Sequence, residues 1–596
     1  MVNNNRLDRL TRAAQGYRRG DLSRREFQAI VLAALGALEN GDLVLENLLP
    51  GELAEFLEDI PDLLQSKTVI SLGSIPHTEP ENEDAGARAL DIVVRRGTEA
   101  FAALDFAQAS ENILLDAKGD WFKDPWGLPE VTWLSRSGQH VLSAALITRD
   151  LAVYGTPADV PKSAVTQRPA TILDPLGRLI YQAIVDVASA ELTSDLPPWT
   201  YGWRVPAGSN IPGEYEHNNR QWRKYVRRTR WEAETNPNAL STDVHDFFAS
   251  IETDDAIPSL FKDPSHAQYL VRLVNTWNEQ TGRRGLPQRS LASSVIANGF
   301  LAEVDAVVDR ELHPSSRPVE GSLSAVRWMD DFWIFSLPSL DIENTVREAI
   351  DTLGLSVNEG KTVWRGGESL NDAIDALDFT YELSALESDQ PDPEPLLESA
   401  RYLLDGPSLG RTQVTFLAKT ALRHNLSEIF DLFAEHMDKL LAGIDQVCRA
   451  FREVGRSNEL EDWFVLTLRS SASPWIRSSL FELLPKSHGG VNSKVFSVID
   501  EVAERDHEYM AISAALSYLS DHHPSRAIEI IRTRANSCDN PALCRSLALA
   551  GARATMERWE ITRILDLFPQ CFATLEMLRD MDFRLPNGHG TTSGSS

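Results

Sequence analysis

Asp330 and Asp331 stand side by side between two short apolar runs, 325–329 and 332–336, both rich in β-formers. That pattern predicts strand, tight turn, strand, with the two acids at the turn. Carboxylates held rigidly on a turn are the oxygen donors that hard divalent cations take, and a pair of such cations is machinery for phosphoryl transfer. A third carboxylate, Asp243, ends the strand-like run 240–244, 87 residues before Asp330. Neighbouring strands of one sheet would bring all three together. Adjacent acids alone are weak evidence: Asp254-Asp255 is a second pair and reads as a helix start.

The elements that must position these acids follow from the surrounding pattern. From about 130 to 385, strand-like runs (240–244, 325–329, 332–336) alternate with helical ones (175–192, 290–312, 342–354), which predicts an α+β domain over 126–390. Residues 1–125 read as a helical region, with Leu43, Leu45, Leu48, Leu49, Leu53, Phe56 and Leu57 as an apolar stripe and a polar loop near 76–86. After an acidic, proline-rich linker at 390–395, residues 391–587 are almost wholly helical. Leu480, Leu516 and Leu547 sit in similar segments at spacings of 36 and 31, which predicts degenerate HEAT-like repeats. Residues 588–596 are small and polar and are expected to form a disordered tail.

A formal charge of −29 over 596 residues argues against nucleic acid as a partner, since phosphates demand basic contacts. One stretch departs from it. Arg220, Arg223, Lys224, Arg227, Arg228 and Arg230 interleave with Trp222, Tyr225 and Trp231. That stretch either tracks a phosphate backbone with stacking aromatics or is a solvated helix face with its tryptophans turned inward. The first residues carry no signal-type apolar segment, and no run reads as long enough to span a membrane, so a cytoplasmic protein without a membrane partner is expected. Cys448, Cys538, Cys544 and Cys571 form no zinc-type spacing; Cys538 with Cys544 reads as structural.

Five segments then carry a resemblance: Asp243 through Phe247-Phe248; Gly285-Leu286-Pro287-Gln288; Trp328-Met329-Asp330-Asp331; Gly354-Leu355 through Asn358 and Lys361-Thr362; and, upstream, Arg168-Pro169-Ala170-Thr171-Ile172 with Tyr201-Gly202-Trp203-Arg204. In order and spacing they resemble the fingers and palm of reverse transcriptases over residues 130 to 385. The resemblance implies a right-hand-like polymerase with an RRM-like palm sheet. It implies Mg2+ or Mn2+ on Asp243 and Asp330 with Asp331 in support, and Lys361 as a cation near the leaving pyrophosphate. Phe248 would exclude a ribose 2′-hydroxyl and so select dNTPs. Gln288 would lie near the incoming base or template, and Arg168, or else Arg178, would bind the triphosphate. Arg289 stands where the family has glycine, as a further phosphate contact or a change in template handling.

The helical extension in place of a thumb is similar to bacterial abortive-infection and defence-associated reverse transcriptases of the AbiK-like kind. That implies antiphage defence with a phage component as trigger, a homo-oligomer, and a single-stranded DNA product. In some members the synthesis is untemplated and the DNA is attached to a protein tyrosine; Tyr201, Tyr225, Tyr381 and Tyr402 are among the candidates here. Templating on a partner noncoding RNA, or an inactive palm inside a helical binding scaffold, are the alternatives.

Overall fold

The computed structural model describes residues 101–148, 152–162, 166–206, 208–209, 211–312, 324–377, 394–406, 409–485 and 491–586. The predicted helices before residue 101, the linker at 390–393, Tyr381 and the 588–596 tail lie outside them.

β1 (Gly155–Pro161) and β2 (Gln167–Leu173) form an antiparallel hairpin of their own. β3 (Thr200–Tyr201), β4 (Asn238–Asp243), β5 (Ser324–Trp328), β6 (Asp331–Phe335) and β7 (Val363–Gly366) form a five-stranded mixed sheet in the order β3-β5-β6-β4-β7. β3 runs parallel to β5 and the other pairs are antiparallel. The three strands expected around the acids are present, each displaced by one or two residues. One face carries Ala239, Val326, Trp333 and Phe335, and a small core with Tyr225, Leu370 and Ile374 closes it. The other face, with Leu240, Ala325, Phe332 and Ile334, joins the main core. Burial on both faces explains why β6 carries apolar residues at four successive positions, Phe332 to Phe335.

The helices of this region are α1 (Phe106–Gly119), α2 (Pro129–Arg136), α3 (Gln139–Thr148), α4 (Pro175–Ser194), α5 (Asn218–Thr235), α6 (Phe247–Ser250), α7 (Thr253–Leu260), α8 (Pro264–Thr281), α9 (Leu291–Phe300), α10 (Ala302–Leu312), α11 (Leu340–Thr352) and α12 (Glu368–Leu377). α4 begins as its sequence demands: the Asp174 side chain accepts from Gly177 N–H, and Pro175 takes the first helical position. Asp254 and Asp255 lie in the first turn of α7, where anions favour the helix dipole.

Two expectations need correction. The single helix expected over 290–312 is two, because the chain turns at Leu301. Gly299 lies just before that turn; a Cβ there would come within 2.9 Å of the Leu192 carbonyl oxygen, so α9 seats directly on the end of α4. The same stretch, Leu291–Arg310, is also long and apolar enough to cross a membrane, with a mean hydropathy of 1.5 over its best window; 72% of that window is buried in protein, which accounts for its composition.

Among the described residues from 394 onward all regular elements are helical: α13 (Glu394–Asp405), α14 (Arg411–His424), α15 (Ser427–Glu435), α16 (Ile444–Glu453), α17 (Glu461–Ser470), α18 (Pro474–Ser479), α19 (Ser493–Arg505), α20 (Tyr509–His522), α21 (Pro524–Ala535), α22 (Pro541–Arg553), α23 (Arg558–Leu565) and α24 (Phe572–Asp580). The three similar segments become α18, α20 and α22, which pack in succession, with α19 and α21 against α20. The segment 124–133 is bound to this stack. Arg545 of α22 grips Asp124 (2.8 and 3.0 Å) and the fully buried Glu130 (2.7 and 2.8 Å). Trp126 Nε1 donates to Ser513 Oγ (3.0 Å), and Trp133 Nε1 to Asp580 Oδ2 (2.9 Å). The overall class is α+β, mostly helical around a small mixed sheet.

Candidate active site

Asp243 is the last residue of β4 and pairs in register with Asp331, the first residue of β6. Asp331 in turn pairs with Trp328 across the hairpin. Directly opposed residues project from the same side of a sheet, so the carboxylates of Asp243 and Asp331 leave one face together. Asp330 sits between them in a two-residue turn, behind Met329, whose φ of 54° is left-handed. Such turns match the twist of the strands they join, which is why the chain accepts a conformation disfavoured for methionine.

Lys361 reaches this point through backbone pairing. Val244 bridges to Val357, His245 N–H donates to Ser356 O (2.8 Å), and Asn358 N–H donates to Asp243 O (2.8 Å). The Thr242 and Thr362 hydroxyls also bond (2.8 Å). Segment 354–362 is thus fastened to the end of β4, and the Lys361 ammonium donates to Asp243 Oδ2. Asp243 is only 4% exposed, and its second oxygen, Oδ1, is buried with no hydrogen-bond partner. A buried carboxylate oxygen without a donor is costly unless a cation or a proton meets it.

The electrostatics agree. Burial and the charge of Asp243 raise Asp330 above the ordinary carboxylate value, against the pull of Lys361 and Arg168. Asp331 is pushed up to about 7 by burial and then by Asp330 beside it; its side chain opens to solvent, which tempers the first of these. Burial opposes the charge on Lys361, yet its bond to Asp243 and the nearby Asp331 and Asp330 raise it above an ordinary lysine. The three carboxylates repel one another, and the Lys361 ammonium is the positive charge that offsets them.

Among the described residues, no group of three His, Cys, Asp or Glu side chains already converges on an ion position. The ammonium of Lys361 takes one oxygen of Asp243 instead. The donor set nonetheless suits a hard divalent cation: all oxygen, anionic, with one buried oxygen unpartnered.

Beneath the turn lies a polar scaffold that sequence reasoning missed. Arg327 of β5 is fully buried. It donates to both oxygens of Asp305 on α10 (2.7 Å for the Nε contact), to Asn298 Oδ1 on α9 (2.8 Å) and to Met329 O (2.7 Å). Asn298 Nδ2 donates to Gly202 O (2.8 Å), and Thr200 Oγ1 to Asp305 Oδ2 (3.2 Å). The acidic turn is therefore held from inside by a hydrogen bond to its own carbonyl. One signal was available: an arginine inside an otherwise apolar strand, which must find partners when buried.

The remaining candidates fall in two places. Phe248 is half-buried beside Phe247, with ring centroids 5.4 Å apart, and its carbonyl accepts from Leu286 N–H (2.9 Å). Gly285, at φ 68°, is required there, since a Cβ would sit 2.1 Å from Phe248 O. The Asp243 segment and the Gly285–Gln288 loop are so locked together. Arg168 and Arg289 lie instead over the Trp121 ring, at 5.2 and 4.4 Å from its centroid. Gln288 lines the same cavity of about 1110 Å³ as Trp121 and Arg289.

The basic helix α5 splits its aromatics. Tyr225 is buried and Trp222 packs edge-on to Trp328 at 4.9 Å, so these two wedge against the strand that leads into the turn. Trp231 is 50% exposed, with Arg228 4.5 Å from its ring. Of the candidate tyrosines, Tyr225 is buried, Tyr201 half-buried and Tyr402 80% exposed.

No family model and no curated protein matches the chain. Among solved structures it is similar to telomerase from Candida albicans in complex with a TWJ fragment of telomeric RNA, with a TM-score of 0.26 and 10% identity over 93% of this chain and 85% of that one. A likeness at that level carries no argument about fold or function.

Proposed function

We propose that the chain is a reverse-transcriptase-like DNA polymerase, with the five-stranded sheet as palm and the β1–β2 hairpin as part of the fingers. The observation that carries this reading is the register pairing of Asp243 with Asp331 around the Asp330 turn, with one buried Asp243 oxygen left without a partner. Asp243, Asp330 and Asp331 would hold Mg2+ or Mn2+, which supplies charge neutralisation for an attacking 3′-hydroxyl and a departing pyrophosphate. The protein's own part is positioning. Lys361, kept protonated by the acids around it, sits where negative charge would gather on a leaving group. Phe248, fixed by the Gly285 loop, would press on the sugar and favour deoxynucleotides. Arg168, whose charge is felt at Asp330, would meet the phosphates.

The wider reading is an AbiK-like defence enzyme whose α13–α24 stack of HEAT-like character stands in place of a thumb, acting as an oligomer. Its support is the succession of α18, α20 and α22 and their attachment to segment 124–133. Sequencing the DNA made by purified protein with dNTPs and Mg2+ tests both levels. A product complementary to a co-purifying RNA means templated synthesis; a product of biased composition without complement, resistant to release except by protease, means untemplated protein priming. Absence of any product rejects the polymerase.

A further inference from the structure

All four cysteines of the chain are free thiols, and two of them meet. Cys538 Sγ lies 2.7 Å from Cys544 Sγ, closer than unbonded sulfurs ordinarily pack and within about 1 Å of a disulfide bond. The polymerase reading makes no use of this pair.

The local chain explains the meeting. Asn540 caps α22, its side chain accepting from Leu543 N–H (2.8 Å), and Pro541 takes the first helical position. Cys538 precedes that cap by two residues and folds back over it, its Sγ 3.5 Å from Asn540 O. Cys544 is one turn into the helix, and its N–H donates to the same carbonyl (3.1 Å). Both cysteines are thereby drawn to one point.

The two thiols are not alike. Cys544 is fully buried. Cys538, in the turn between α21 and α22, is half-buried, with exposed residues Ser537 and Asp539 on either side. It stands at the positive end of α22, where a thiolate is favoured. The bond with Cys544 holds the Cys538 thiol below the ordinary cysteine value; a backbone bond at Asn540 and the charge of Arg534 support this, against burial and Asp539. The same bond, with burial, pushes the Cys544 thiol up. One sulfur is therefore open to attack an electrophile, and the other is in contact to resolve the product. Cys571, in the turn before α24, is buried and its thiol donates to Pro541 O (3.4 Å).

We propose that Cys538 and Cys544 form a peroxide-responsive dithiol site, closed to a disulfide on oxidation and reopened by a thiol reductant. The Cys538 thiolate attacks hydrogen peroxide: an S–O bond forms, the O–O bond breaks, and the departing hydroxide takes up the proton that Cys538 lost and leaves as water. The Cys544 sulfur then attacks the Cys538 sulfenic acid: the S–S bond forms, the S–O bond breaks, and the hydroxyl leaves as water with the Cys544 proton. Two thiols are oxidised by two electrons, and one peroxide is reduced to two waters. Because the sulfurs already touch, closure leaves α22 in place, and the adjacent Arg545 keeps its hold on Asp124 and Glu130.

The test treats the reduced full chain, under native conditions, with hydrogen peroxide, then alkylates and maps the peptides. The expected result is a Cys538–Cys544 bridge that dithiothreitol reverses, with Cys448 and Cys571 still thiols. Cys544→Ser should stall the first step, so that a dimedone adduct on Cys538 accumulates at least roughly tenfold over wild type. Cys538→Ser, at a half-buried position that takes a hydroxyl, should leave Cys544 a thiol. The oxidised wild type should melt no lower than the reduced one. The proposal is overturned if the native chain keeps all four thiols in peroxide, if the bridge joins other cysteines, if Cys538→Ser loses the Cys544 thiol as fast as wild type, or if oxidation lowers the melting temperature. No readout involves a nucleotide, so failure here leaves the polymerase reading standing.

Discussion

Replacing Arg327 with methionine should uncouple the acidic turn from the core. The side chain is fully buried and makes hydrogen bonds to Asp305, Asn298 and Met329 O. Its loss leaves Asp305 as a buried carboxylate with only the Thr200 hydrogen bond and the more distant charge of Arg204 to support it. Removing one partner of such a pair costs about 3–5 kcal/mol, a large part of a total stability of about 5–15 kcal/mol. At about 2–4 °C per kcal/mol for a domain of 150–250 residues, the melting temperature should fall by roughly 6–20 °C. The loss should depend on pH. Burial already raises Asp305, with Arg327 pulling the other way; without Arg327 it rises further, the native state then holds its proton more tightly than the unfolded chain, and the deficit should shrink as pH falls. In the double variant Arg327→Met with Asp305→Leu, both charges are gone and at least half the loss should return. Nucleotide incorporation should not return, because Met329 O still lacks its donor. Scanning calorimetry of the wild type, the single and the double variants at pH 5.5 and 7.5 reads the first effects. A single variant within 1 kcal/mol (roughly) of wild type, or a double variant no more stable than the single, would refute the reasoning.

Gly285→Ala should cost about 1–3 kcal/mol or more, since its Cβ would meet Phe248 O and its φ is left-handed; urea unfolding reads this, and a neutral effect would show that the loop does not pack on the Asp243 segment. Burial raises Asp186 to about 6 despite bonds from Tyr215, Gln182 and Asn112. A raised native value means its contribution is favourable at low pH and lost as pH climbs from about 4 to about 6, so wild type should lose stability relative to Asp186→Asn over that window, and a difference constant with pH would count against it. Arg545→Leu leaves the Asp124 and Glu130 carboxylates without their shared arginine, so limited proteolysis should cut within the 124–133 segment faster than in wild type, and an unchanged rate would count against that segment's being held by Arg545.

The acidic hairpin is legible because two short runs of β-formers flank the adjacent acids and leave only the turn for them; the grouping of Asp243, Asp330, Asp331 and Lys361 as one site came from the order of the surrounding motifs, that is, from the resemblance. Other features needed three dimensions. Arg327, Asn298 and Asp305 are spread over a strand and two helices, and no periodicity links them; only burial turns them into a set. Arg289 was visible as an odd residue after Gln288, but its left-handed backbone and its meeting with Trp121 and Arg411 depend on contacts with the C-terminal helices. The 290–312 run reads as one helix because its apolar residues continue past Leu301, and hydropathy does not encode the one-residue break that divides it there. The charge-rich α5 was ambiguous for a related reason: the same helix buries Tyr225 and exposes Trp231.

The central claim is that Asp243, Asp330 and Asp331 form a nucleotidyl-transfer site. Its most direct measurement is incorporation of labelled dNTPs by the purified full chain with Mg2+, in wild type and in Asp330→Asn, with matched melting temperatures showing both are folded. The account predicts labelled polymer from the wild type and at least about a thousandfold less from the variant, the scale of losing a group that acts only in the transition state. Equal incorporation by the two proteins would contradict it.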